Sequence, residues 1–402
     1  MECETNWAVE LDSGSTIVDE RTTRLRLVCR RTQSFDGAGR PTLVNVGTAE
    51  ARRGELTRGW LKATGLPTGG DEQLPVLVAR GERDGPTLWL TGGVHGDEAT
   101  GVAVAQDAMR EELPALLSGT VVCVPLVNPA GLRRNARTSY YADDDPNRYF
   151  PDPEGESTRP PKTQERIDER LYEALVDSAD ALVDLHTAQV GSVPFSIRDR
   201  VLYGERRTKE EAESLADELA SLVEAFGLPI LTEYPAEEYL DQGLHRSTAG
   251  AALNAAGIPS FTAELGGHSV VEEDVRAAGV AGVYGVLREL GMIDEIPDGV
   301  AEPGTGVPPA PVEFPVRRAV HPRTETAGLV RHRVEAGEAV SAGDVVADIV
   351  TPHGEPVDTV ESEHDGYLIG RYEGLAVYEG DAVASMAVRD DDELVVPREQ
   401  DD

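Results

Sequence analysis

Through the first three quarters of the chain, short apolar runs bounded by Gly, Pro or polar residues alternate with longer stretches of helical period. The runs Thr87–Thr91, Val121–Val127, Ala181–Leu185 and Ser260–Ala263 predict buried strands, and VNVGTAE (44–50) and PVLVARG (75–81) predict two earlier ones. Apolar residues recur at helical spacing near 98–117, 164–178, 209–226, 246–257 and 273–291. This alternation predicts an α/β fold with a mixed, largely parallel sheet. In such sheets ligands gather beyond the carboxyl ends of the strands. The first 40 or so residues are polar and irregular, and their pattern assigns them no role.

The texture changes at PDGVAEPGTGVPPAPVEFPV (297–316), which is rich in Pro and Gly and reads as a semi-rigid linker. Residues 1–296 are therefore expected to form the larger domain and 317–402 a β-rich one. Within the latter, VEAGEAVSAGDVVADI (334–349) and YEGLAVYEGDAVASM (372–386) form a quasi-repeat: a Val, a Gly-Glu or Gly-Asp turn, then an apolar strand. The pair looks like the two halves of a lipoyl or biotinyl carrier barrel. No lysine follows Lys209, so covalent lipoate or biotin is excluded, leaving structural, regulatory or oligomer-forming roles. One expectation is a homo-oligomer whose β module partly roofs the active site and restricts it to small substrates.

Composition narrows the picture. No stretch approaches the roughly 18 apolar residues of a membrane span, and the start, MECETNWAVELDSGS, lacks the basic and apolar segments of a secretory signal. A cytoplasmic protein is expected. Cys3, Cys29 and Cys123 are odd in number and lack metal-site spacing, so they read as unpaired thiols. The 73 acidic residues against 37 basic ones leave a net charge of -36, which would repel nucleic acid. Only three lysines are present and the acids are spread along the whole chain, a pattern that fits adaptation to high salt.

Candidate chemistry begins at Thr91-Gly-Gly-Val-His95-Gly-Asp-Glu98, between a predicted strand and a predicted helix. Three residues apart across a Gly-rich turn, His95 and Glu98 can point at one metal ion. Alone, such a pair is more often an ordinary polar contact. Two further strand ends, ALVDLHT with His186 and PSFTAELGG with Glu264, add an imidazole and a carboxylate. Two His and one Glu with an open fourth position are a catalytic zinc set, and a separate Glu is then needed as base. Asp184 is expected on the strand face opposite His186. The polar segment between Val127 and Pro151 holds Arg133, Arg134, Arg137 and Arg148, of which Arg148 stands in an apolar context suited to gripping a carboxylate.

The motifs GGVHGDE, NP with a following Arg, D-x-N-R-x-FP, DLHT and AELGG, in this order over roughly residues 80 to 290, resemble those of the succinylglutamate desuccinylase and aspartoacylase family, relatives of the zinc carboxypeptidases. The resemblance implies a zinc carboxypeptidase-like fold with helices on both sheet faces and one Zn2+ per chain held by His95, Glu98 and His186. It implies Glu264 as general base, Arg137 as the group that polarises the scissile carbonyl, and Asn147 with Arg148 as the holders of the substrate carboxylate. The implied reaction is hydrolysis of the amide, or ester, bond of a small N-acyl amino acid. The competing readings are a zinc carboxypeptidase acting on peptides and a catalytically silent binding protein of the same fold. Where the family usually has Asp-Leu-Asn-Arg this chain has Asp145-Pro146-Asn147-Arg148, and Asp152 stands where Gly is common. Pro146 is expected to hold Asp145 extended and to bear on substrate choice more than on catalysis. For His245 and His268 a surface or capping role is favoured over an approach to the pocket, His321, His332, His353 and His364 read as ordinary surface residues, and nothing in the spacing selects among Tyr140, Tyr141 and Tyr239 as pocket-lining donors.

Overall fold

A computed structural model of the chain describes residues 43–152, 160–204 and 206–398. The chain divides into two units, Met1–Leu43 and Val44–Asp402, and every strand and helix among the described residues belongs to the second. Cys3, Cys29 and the polar N-terminal segment lie outside the described residues; Cys123 is buried and free.

Twelve strands build one sheet: β1 (Glu55–Gly65), β2 (Asp71–Arg80), β3 (Arg83–Gly92), β4 (Ser118–Val124), β5 (Ala181–Ala188), β6 (Phe195–Arg198), β7 (Ile230–Thr232), β8 (Ser260–Gly267), β9 (Val316–Ala319), β10 (Ala339–Val340), β11 (Gly366–Arg371) and β12 (Ala384–Arg389). Their order is β10-β11-β12-β9-β7-β6-β8-β5-β3-β4-β2-β1. Five pairings are parallel and six antiparallel, so the sheet is mixed: β4-β3-β5-β8 and β6-β7-β9 are two parallel blocks that meet antiparallel at β8 and β6. The expectation of a largely parallel sheet came from the alternation of strands and helices, which holds for β3, β4, β5 and β8 but not for the antiparallel strands toward the two edges.

Strand alternation sorts the core. Leu88, Leu90, Val183, Leu185, Ala263 and Leu265 face one side and pack with helices α1 (Ala99–Ala108), α3 (Lys209–Phe226) and α4 (Glu273–Glu289). Trp89, Val122, Val124 and Leu182 face the other, where α2 (Thr163–Val176) contributes Ile167, Leu171 and Leu175. Helices therefore cover both faces. Helix α3 shows how local sequence sets the ends. Thr208 accepts from Glu211 N and Glu211 accepts from Thr208 N, while Gly227 takes the left-handed conformation (φ +85) that stops the helix.

The Pro/Gly-rich segment is laid down on this body: Val300 and Val307 pack against the α3 and α4 core, and Val312 and Phe314 join a cluster with Phe195, Ile197 and Leu231. Its last residue, Val316, opens β9, which pairs with β7 on one side and β12 on the other. Through β9 the sheet continues into the β-rich C-terminal part, beside which Pro356–Glu361, Val345–Val350, Gly328–His332 and Ala376–Val377 form a four-stranded sheet. Among the described residues no helix is long and apolar enough to cross a membrane.

Candidate metal centre and active site

The turn after β3 carries the first two functional side chains. Gly93 sits at φ +59, and a Cβ on Gly96 would lie 2.1 Å from the Gly131 carbonyl carbon, so two loops meet where only a bare backbone fits. Gly96 N donates to Arg137 O at 3.3 Å, which ties the loop bearing Arg137 to the His95–Glu98 turn. Strands β5 and β8 run parallel with His186 opposite Glu264, which delivers these two from adjacent strands.

His95, Glu98 and His186 are buried, and one ligand atom from each lies within 4.8 Å of the others. Glu98 Oε1 is 2.6 Å from His95 Nδ1, and Glu98 Oε2 is 2.8 Å from His186 Nδ1. Each imidazole thus aims Nδ1 inward, and a carboxylate holds its other nitrogen: Asp145 Oδ1 at 2.9 Å from His95 Nε2, Asp184 Oδ2 at 2.8 Å from His186 Nε2. This is how metal-ligating imidazoles are usually oriented. Asp184 is itself fixed by Thr91, whose hydroxyl donates to Oδ1 at 2.6 Å. The expectation that Asp184 faces away from His186 is wrong, because residues two apart in a strand share a face.

The donor set fits a metal. Glu98 Oε2 is buried and, among the described residues, has no hydrogen-bond partner despite the nearby imidazole, so its lone pairs are left for a cation. Two imidazole nitrogens and one carboxylate suit zinc. Burial pushes the Glu98 carboxyl up, but the two histidines outweigh it and hold it well below the usual carboxylate range. Burial opposes a charge on His186, yet Asp184 and Glu98 keep its pKa well above the ordinary value.

These residues open onto a cavity of about 540 Å³ that also holds Arg137, Asn147, Arg148 and Glu264, so all seven residues expected at the site meet there. The Glu264 carboxyl is pushed up by burial, only partly offset by His186, and its Oε2 has no partner among the described residues. Arg137 donates to Asp145 Oδ2 at 2.9 Å. Asn147 Oδ1 accepts from Thr248 N and Oγ1 at 2.8 and 3.0 Å, which fixes its amide at the cavity wall. Arg148 spends Nε on Gln242 O and Nη1 on Asn147 O.

Sequence reasoning missed several members. Asp145 is a hub: extended as Pro146 requires (φ -63, ψ 116), it accepts from Asn147 N and ties His95 to Arg137. Its signal was present, as the carboxylate that opens D-x-N-R. His268 corrects its surface reading, for it lines the cavity with Nε2 2.5 Å from Glu373 of the C-terminal part. Tyr372, Glu373, Ser385 and Arg318 come from beyond the linker segment and line the same cavity. Asp199 and Glu233 line it too, each one residue past the end of a three- or four-residue strand that has no recognisable pattern. Tyr239 is buried and donates to Asp199.

The catalytic-domain model described as succinylglutamate desuccinylase/aspartoacylase matches residues 84–290. A curated relative, the N-alpha-acetyl-L-2,4-diaminobutyric acid deacetylase of Halomonas elongata, is 28% identical over 369 residues, covering 87% of this chain and 96% of its own. Among solved structures, a succinylglutamate desuccinylase/aspartoacylase from Rhodobacter sphaeroides superposes with a TM-score of 0.66 at 25% identity, over 84% of this chain and 96% of that one. The ectoine utilization protein EutE (DoeB) from Ruegeria pomeroyi shares the fold, with a TM-score of 0.64 at 23% identity over 83% of this chain and 95% of its own.

Proposed function

Because the chain belongs to the succinylglutamate desuccinylase/aspartoacylase family, we propose that it is a zinc-dependent hydrolase that removes the acyl group from small N-acyl amino acids. The observation that carries this reading is the half-buried Glu264 carboxyl, whose buried Oε2 has no partner among the described residues, opening onto the same cavity as a His-Glu-His donor set and Arg137. His95, Glu98 and His186 hold the ion, which when bound supplies Lewis acidity at the carbonyl and acidifies water. Glu264 takes a proton from the attacking water and delivers it to the leaving nitrogen. Arg137, steadied by Asp145, donates to the carbonyl oxygen as negative charge grows there. Asn147 and Arg148 hold the carboxylate of the amino acid. The same steps serve an ester.

A cavity of about 540 Å³ walled in part by Tyr372 and Glu373 suits a small molecule better than a peptide. The substrate of the Halomonas relative makes an Nα-acetyl diamino acid the first compound to screen. The test pairs elemental analysis of protein purified in high salt with a Glu264→Gln variant assayed on a panel of N-acyl amino acids. The expected result is one zinc per chain in both proteins, with turnover reduced by at least about 100-fold in the variant. Folded protein that takes up no zinc favours instead a binding protein of the same fold.

A further inference from the structure

The deep end of the cavity is built differently from the metal end. Strand β6 runs antiparallel to β8 and parallel to β7, so Asp199 and Glu233 both follow strands that end away from Glu264. Their backbones are joined, Glu233 N donating to Arg198 O at 3.0 Å. Both side chains are buried and both line the cavity.

The two carboxylates differ in their partners. Glu233 Oε1 is 3.3 Å from Arg318 Nη1, and its Oε2 accepts from Tyr234 N at 3.3 Å. Asp199 is only 3% exposed, yet among the described residues no cation pairs with it. Its Oδ1 accepts from Tyr239 at 2.8 Å, and Oδ2 is bonded to no donor among the described residues. A buried carboxylate with one neutral donor is costly unless a cation arrives. Burial, then the charge of Glu233, pushes the Asp199 carboxyl up to about 8, the sign of a missing counterion. Arg148 is close enough to oppose that rise but has two of its nitrogens fixed on backbone carbonyls.

We propose that Asp199, with Glu233 beside it, is the specificity-determining residue that accepts a side-chain ammonium of the substrate, so that N-acyl diamino acids with a free ω-amine are preferred. This rests on the deacylase reading above and assigns the amine end of its substrate. With the α-carboxylate on Arg148 and Asn147, a short side chain extends toward the deep end of the cavity. An ammonium there supplies the charge that Asp199 lacks. A second carboxylate there meets Asp199 and Glu233, and a methyl group leaves Asp199 buried and unpaired, so the order of preference is cationic, then neutral, then acidic.

The experiment compares kcat/KM of the zinc-loaded full chain on Nα-acetyl-2,4-diaminobutyrate, on N-acetylnorvaline, which puts a methyl in place of the ammonium, and on N-acetylglutamate. In the native protein the diamino compound is expected to lead norvaline by at least about 100-fold. In Asp199→Asn that ratio falls to within about tenfold, mainly through KM for the diamino compound. A native protein indifferent to the ammonium overturns the proposal. So does a variant that loses both substrates in equal proportion, the mark of a structural role. If Asp199→Asn fails to fold, Glu233→Gln, which frees Arg318 to repel the ammonium, is expected to lower the same ratio, and an unchanged ratio counts against the assignment. Calorimetric binding of free 2,4-diaminobutyrate against norvaline separates the two readings. Absence of any hydrolysis with selective binding of the diamino acid sinks the deacylase and keeps the Asp199 subsite. Hydrolysis without selectivity does the reverse.

Discussion

At the scale of single residues the site is a set of carboxylates with divided duties. Glu98 reaches the proposed metal position, Asp145 and Asp184 hold the far nitrogens of the two imidazoles, and Glu264 keeps an oxygen without a partner among the described residues. Replacing Asp184 by Asn is expected to weaken zinc binding by about 10- to 100-fold, read by competition with a chelator, because the His186 ring loses its anionic anchor. Asp199 predicts a dependence on pH. Its carboxyl moves from the ordinary 3.8 to about 8 on folding, so between those values the native state holds a proton that the unfolded chain has released. Stability is therefore expected to fall as pH rises through this window, by up to about 1.4 kcal/mol per unit from this group. Thermal melts between pH 5 and 8.5 at constant high salt should show a steeper loss for the native protein than for Asp199→Asn, and equal slopes would refute the shift. The proposed metal ligands and Glu264 were legible in the sequence because each sits in a motif at a strand end. Asp199, Glu233 and Arg318 were not, since their neighbours SIRDR, LTEY and VRRA carry no spacing that announces a pocket.

At the scale of elements, loop contacts set the geometry. A methyl group on Gly96 would collide with Gly131, and the Gly96 amide is bonded to the Arg137 carbonyl. Gly96→Ala is expected to cost about 1–3 kcal/mol of stability and to lower kcat more than it raises KM, as Arg137 is moved from the carbonyl oxygen. Denaturant unfolding and steady-state kinetics on one preparation check both. The central strands and helices were readable because each strand carries a short apolar run bounded by turn residues and each helix keeps a helical period. The short strands β6 and β7 escaped, being only four and three residues long and held by their neighbours instead of by their own pattern. The Pro/Gly-rich segment was legible as irregular but not as packed, because prolines mark a break in regular structure without saying what lies beneath.

At the scale of the whole molecule the net charge of -36 bears on where the fold persists. Raising salt from 0.1 to 1 M shortens the Debye length from about 10 to about 3 Å and screens repulsion among exposed acids. The melting temperature is expected to climb steeply over that range, and a neutral osmolyte at matched osmolarity should not reproduce the climb; a flat salt response would count against a role for charge. The continuity of the sheet through β9 also places Arg318, Tyr372 and Glu373 at the cavity, so the C-terminal part is a wall of the site. The reversal of strand direction between β8 and β6 reaches further still. The groups proposed to break the bond stand at one end of the central strands, and Asp199 and Glu233 follow strands that finish at the other. A change at one end can therefore leave the other undisturbed, so that what the cavity admits and how the proposed chemistry cuts it are open to separate alteration.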